Sequence, residues 1–269
     1  MVCKHKSKNQ QKTIIVLGAP RSGTSMAAGI LSLIGVNMGN LRKADSENPK
    51  GYFEDKDFLS VCTDILKAVE SKSNGFNVPD IEDILKVKNQ FNERIESLLF
   101  NKSNDSGLND WGWKVTTTCF TIELFSPFLR NPYFIVILRN PYDIAKSMVK
   151  YSRNKPIYKE IDLLEAFQSV YKYYNSINSF LSKNKELPRH FISYEDIVSN
   201  PIKETRKIAQ FIEVKCTKKN ICKVKKFVNS RNKMRLLGIT TRAREKVRYL
   251  IRYYPSNLYK IFKMIIQKS

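Results

Sequence analysis

The 269 residues suit one large α/β domain or two small ones, and 42% apolar content with only 10 Gly and 10 Pro excludes a disordered, collagen-like or low-complexity protein. The formal charge is +22, of which residues 1–12 contribute +4 and residues 215–269 contribute +16, so residues 13–214 carry only +2. A nearly neutral body therefore ends in a basic segment suited to phosphate, sulfate, anionic lipid or nucleic acid.

Residues 1–12 read as a basic, flexible tail. Thr13–Leu17 is a short apolar, β-branched run ending at Gly18, the pattern of a buried strand. A Gly/Pro/Ser loop follows, then a helix over 25–34 stopped by Gly35. Residues 37–50 are loop-like. Phe58, Cys62, Ile65 and Val69 fall at helical spacing and predict an amphipathic helix over 56–70. Ile81, Ile84, Leu85, Phe91, Ile95, Leu98 and Leu99 predict another, followed by a polar loop over 101–110. Trp111–Val115 is a second strand, and Tyr133–Leu138 has the character of a central parallel strand. Helices are expected at 141–151 and 161–182, a short strand at Phe191–Tyr194, and a helix from Asn200-Pro201 to about Ile212.

Alternation of strands and helices predicts a three-layer α/β/α domain with a central parallel sheet over residues 13–214. Residues 215–269 are expected to be a basic, mainly helical extension packed on that domain or completing it. No apolar run approaches the ~18 residues of a membrane span, and the first twelve residues lack the apolar stretch of a signal peptide. Five scattered cysteines, at 3, 62, 119, 216 and 222, do not form a disulfide framework. A reduced, cytoplasmic setting is the expectation.

In a doubly covered parallel sheet, ligands bind beyond the carboxyl ends of the strands. Three such ends carry unusual chemistry: Gly18–Ser25, Lys114 and Arg139. The loop Gly18-Ala19-Pro20-Arg21-Ser22-Gly23-Thr24-Ser25 follows a strand and opens a helix, which is what a phosphate cradle requires. Its glycines have P-loop spacing, but Thr24-Ser25 stand where an ATPase has Lys-Ser/Thr. Strand 133–138 ends in Arg139 and not in the Asp that would help hold magnesium. Protein cations, and not a metal, are expected to balance the anion here.

Ile15–Ser25, with its Pro-Arg-Ser-Gly-Thr-Ser core, resembles the 5′-phosphosulfate loop of sulfotransferases that use 3′-phosphoadenylyl sulfate (PAPS). Arg139–Ser147 resembles their 3′-phosphate motif, R-[DN]-P-x-[DE]-x-x-x-S. Asn48–Asp55 is similar to a segment common in bacterial members, and Tyr194-Glu195-Asp196 with Asn200-Pro201 is similar to a segment near the end of the catalytic domain. These segments span roughly residues 13–212. The resemblance implies a P-loop-like sulfotransferase fold and a PAPS donor released as 3′,5′-adenosine bisphosphate (PAP). It also implies donor contacts from Arg21, Ser22, Gly23, Thr24, Ser25, Arg139 and Ser147. One departure stands out: many bacterial relatives have Lys-Asp-Pro-Arg at the second strand end, where this chain has Lys114-Val115-Thr116-Thr117.

Sulfuryl transfer builds negative charge on the bridging oxygen of the departing nucleotide, so cations placed there lower the barrier. Arg21 and Lys114 are the candidates. The acceptor must lose a proton, so a base is needed. His5 lies in the tail and His190 precedes a strand, which leaves a carboxylate. Glu54 is favoured, with Glu47 and Asp55 as competitors. The acceptor hydroxyl (or, less readily, amine) is open among saccharides, lipids and small metabolites.

The basic end has three readings: a solvated helical face, an arginine from 231–244 lent to the nucleotide, or an interfacial helix over Val247–Ile266 attaching the enzyme peripherally to an anionic membrane or polymer. The alternatives to a sulfotransferase are a P-loop kinase-like enzyme and a non-catalytic basic module that binds nucleic acid or membrane.

Overall fold

In a computed structural model, residues 11–43, 51–71, 76, 78–154 and 160–228 are described. Glu47, the turn residues Asn48–Lys50, most of the basic tail, residues 231–244 and the Val247–Ile266 segment lie outside them.

The apolar run Thr13–Leu17 forms β1, buried at every position. Its neighbours are β2 (Trp111–Trp113) and β3 (Pro132–Leu138), and β3 pairs in turn with β4 (Arg189–Ser193). All pairings are parallel, in the order β2-β1-β3-β4, with Ile15 opposite Trp113 and Phe134, and Leu138 opposite Ser193. The alternating pleat assigns side chains to two cores. Ile15, Leu17, Phe134, Val136 and Leu138 face one, and Ile14, Val16, Tyr133, Ile135 and Ile137 face the other.

The first core is closed by α2 (Lys56–Ala68), α3 (Ile81–Lys86), α4 (Lys88–Asp105), α5 (Thr118–Phe125), α6 (Pro141–Arg153) and α7 (Leu163–Lys183). The second is closed by α1 (Thr24–Leu33), α8 (Tyr194–Ser199), α9 (Pro201–Phe211) and α10 (Lys218–Phe227). This is the expected three-layer architecture.

On the second side of the sheet, Tyr194–Ser199 is helix α8 and not the end of a strand, and three elements of the first core also differ from the sequence reading. The single helix expected over 81–99 is two, because Val87 takes φ −92°, ψ 0° and starts a new helix. The buried positions Ile84, Val87, Phe91 and Ile95 keep helical spacing through this point, so the apolar pattern does not mark the break. The loop expected after residue 100 is still helix as far as Asp105, since Lys102 bonds back to Asp55 and Asp57. Helix α5 was not expected: nearly all of its residues are buried, so no amphipathic period marks it.

Helix α10 begins the basic extension and packs on the domain. Thr217 and Asn220 form a capping box at its start, and the Asn220 amide donates to the Leu33 carbonyl at 2.6 Å. At its other end Phe227 lies against Gly29 of α1, where a Cβ would come within 2.4 Å of the ring. Phe53 closes the same contact, edge-on to Phe227 with centroids 5.7 Å apart.

Candidate active site

Four chain segments meet beyond the carboxyl edge of the sheet. In the loop after β1, Gly23 takes φ +104° and ends the turn into α1, and a side chain there would strike the ring of Tyr194 at 2.5 Å. Helix α1 has no side-chain cap, so its first-turn N–H groups keep the partial positive charge of a helix start. Ser22 is fully buried, and its Oγ has no hydrogen-bond partner among the described residues. An orphan hydroxyl beside an uncapped helix start fits an anionic group.

Arg21 is exposed and held at φ +68°, a conformation that costs a non-glycine residue energy. Its guanidinium lies 5.3 Å from the Tyr151 ring, and its Nε donates to Ser147 Oγ at 3.2 Å. Its carbonyl accepts from Arg139 Nη1 at 2.8 Å. Ser147 and Arg139 were expected to reach toward one phosphate from two sides. The structure joins both of them to Arg21, and Arg139 stacks on Tyr194 at 4.2 Å.

The Arg139 turn is well fixed. Its N–H donates to Tyr174 Oη at 3.1 Å, the N–H of Asn140 donates to Glu195 at 3.4 Å, and Asn140 Oδ1 caps α6. Burial, first of all, raises the Tyr174 hydroxyl pKa well above its usual range and keeps it protonated. Burial likewise lifts the carboxyl of Asp143, against the pull of Arg139 and Lys146.

Lys114 is not a solvated strand-end lysine. It is 2% exposed, and its Nζ donates to Glu54 Oε1 at 2.8 Å. The meeting is set by packing: Phe58 of α2 stacks on Trp113 of β2 at 4.1 Å and 5°, which brings the residues just before α2 beside the residue just after β2. Arg42 approaches the other carboxylate oxygen at 3.9 Å and covers the Tyr52 ring at 4.0 Å. Phe53, one residue earlier, holds φ +51°.

Asp55 is a structural acid. It caps α2 through the N–H groups of Asp57 and Phe58, accepts the Asn40 N–H at 2.7 Å and pairs with Lys102 at 2.7 Å. Ser25 donates to the Tyr52 carbonyl at 3.0 Å, tying the loop to the Glu54 segment, and Thr24 is buried in the first turn of α1. His190 stacks on Phe211, near the amino end of β4 and away from the carboxyl edge of the sheet.

The sequence profile of the sulfotransferase domain matches residues 11–245. The chain belongs to the sulfotransferase family. Among solved structures, the fold is similar to the sulfotransferase domain from the curacin biosynthetic pathway, at 18% identity and TM-score 0.51, over 79% of this chain and 77% of that one. It is also similar to sulfotransferase STF9 from Mycobacterium avium, at 14% identity and TM-score 0.51, over 81% and 68%. No curated protein matches it in sequence.

For this sulfotransferase, sequence reasoning proposed Arg21, Ser22, Gly23, Thr24, Ser25, Arg139, Ser147, Lys114 and Glu54. The structure gathers them into two joined groups, a loop–arginine group and a Lys114–Glu54 pair. Tyr194, Tyr174, Arg42 and Cys119 were missed as site residues. Tyr194 had a signal in its Tyr-Glu-Asp segment. Arg42 had none, because its partners come from a loop ten residues away.

Proposed function

We propose that this sulfotransferase transfers a sulfuryl group from PAPS to an acceptor hydroxyl. The observation that carries the reading is the convergence of Arg21, Ser147 and Arg139 around a phosphate loop whose buried Ser22 hydroxyl lacks a partner. Ser22 and the N–H groups that open α1 hold the 5′ end of the donor, and Arg139 with Ser147 holds its 3′-phosphate. Tyr194 lies beside both groups and supplies an aromatic face to the nucleotide.

Arg21 and Lys114 offset the charge that grows on the departing nucleotide. Glu54 takes the acceptor proton. Its Oε1 is hydrogen-bonded to Lys114, so Oε2 is the oxygen assigned to receive it. The sulfuryl group leaves the phosphate oxygen as the acceptor oxygen bonds to sulfur, and the products are a sulfate ester and PAP.

Thermal stabilisation by PAP, by ATP with magnesium and by oligonucleotides separates this reading from a kinase and from a nucleic-acid-binding module. PAP alone is expected to raise the melting temperature at micromolar concentration. A larger shift with ATP and magnesium sinks the assignment.

A further inference from the structure

One side chain of α5 reaches the phosphate loop. Cys119 is fully buried, and its Sγ accepts the Gly18 N–H at 3.3 Å and lies 3.5 Å from the Gly18 carbonyl, to which it donates. Gly18 is where β1 gives way to the loop, since Leu17 opposite Val136 is the last paired position of β1. Backbone groups leaving a ladder in a dry interior need other partners, and here the thiol supplies both. Burial pushes its pKa up to about 12, so Sγ keeps the proton that it donates. The Cys119 carbonyl accepts from Ser176 Oγ at 2.8 Å, which fastens this turn of α5 to α7.

Cys62 is the natural comparison. It is equally buried in the same core, but its Sγ lies near Thr121 Oγ1 at 3.4 Å and Thr118 Oγ1 at 3.9 Å.

We infer that Cys119 is a positioning residue for the sulfuryl donor: by holding the N–H and C=O of Gly18, it fixes the course of loop 18–23 on which the donor's 5′ end is received. The inference rests on the donor reading above for its ligand, but not for its geometry. Cys119 touches no reacting atom and acts through the loop.

The test compares the intact wild-type chain with Cys119→Ala, Cys119→Val, Cys119→Ser and Cys62→Ala. Two quantities are measured: hydrogen–deuterium exchange of the peptide containing residues 18–23 without nucleotide, and the affinity for PAP by calorimetry. Loss of two hydrogen bonds predicts loop exchange faster by roughly ten-fold in Cys119→Ala, and PAP affinity weaker by a similar factor. Cys62→Ala should lose comparable thermal stability yet stay within about two-fold of wild type on both readouts. Cys119→Ser keeps a donor and an acceptor and should recover most of both losses. Cys119→Val keeps the volume without the hydrogen bonds, and gives the same comparison if the alanine variant does not fold.

Loop exchange no faster than in Cys62→Ala overturns the inference, and so does faster exchange with unchanged PAP affinity. If wild type binds no PAP, the donor reading fails, while the exchange comparison still decides whether Cys119 holds the loop.

Discussion

Arg21 Nε donates to Ser147 Oγ across 3.2 Å, so the phosphate loop and helix α6 are tied through the two groups assigned to opposite ends of one nucleotide. Arg139 joins the same unit through the Arg21 carbonyl. The proposed contacts to the 5′ and 3′ ends of the donor would therefore share one connected structure.

That arrangement predicts how the donor is told from nucleotides lacking a 3′-phosphate. Arg139→Ala should weaken PAP by about 2–4 kcal/mol and Ser147→Ala by about 1 kcal/mol, while adenosine 5′-monophosphate loses much less in both. Calorimetry with the two nucleotides on wild type and variants checks this. Equal losses for both would remove Arg139 from the 3′-phosphate.

Glu54→Gln should lower turnover by two or more orders of magnitude, as expected for loss of a general base, with PAP affinity nearly unchanged. The substitution also leaves the buried Lys114 ammonium without its counter-charge, and breaking such a pair costs up to about 3–5 kcal/mol. Glu54→Gln combined with Lys114→Met should be more stable than Glu54→Gln alone and equally inactive. Urea unfolding and single-turnover transfer measure the two effects separately. Near-normal turnover in a folded Glu54→Gln would move the base elsewhere.

Transfer should survive EDTA. The loop has no lysine after its second glycine, and β3 is followed by Arg139 and not by a carboxylate, so the cations proposed for the donor are Arg21, Lys114 and Arg139. Activity lost on chelation and restored by magnesium would count against this charge scheme.

Stability should fall in alkali. Burial raises the pKa values of Cys62, Cys119, Tyr173 and Tyr174 in the folded chain. The unfolded chain then releases protons first, so this stability is whole below the ordinary thiol value of 9.0 and is lost as pH rises above it, with the phenols joining from 10.0. Each group contributes a slope of about 1.4 kcal/mol per pH unit between its unfolded and folded values. Urea midpoints should be nearly flat from pH 7 to 8.5 and clearly lower at pH 10. A midpoint unchanged at pH 10 contradicts the burial of these groups.

The central strands were legible because Thr13–Leu17 and Tyr133–Leu138 are apolar on both faces and bounded by Gly18 and Arg139. The loop and the Arg139 turn were legible because their chemistry is contiguous in sequence. The Lys114–Glu54 pair was legible only as two separate candidates. Its geometry depends on the Phe58–Trp113 stack, a contact between residues 55 positions apart with no local trace. Helix α5 escaped because a helix buried all round has no polar face to reveal its period, and with it went the support that Cys119 gives the loop.

Phe53, immediately before the assigned base, rests edge-on against Phe227, and both rings lie over Gly29. Anyone shortening this chain to a minimal enzyme would be tempted to cut where the neutral body meets the basic end, near residue 214. Such a cut removes the ring against which Phe53 rests, and with it one contact that holds the backbone just before Glu54. A chain cut near residue 214 is therefore expected to lose activity that one extending past Phe227 keeps, which would make the first basic helix part of the proposed catalytic scaffold.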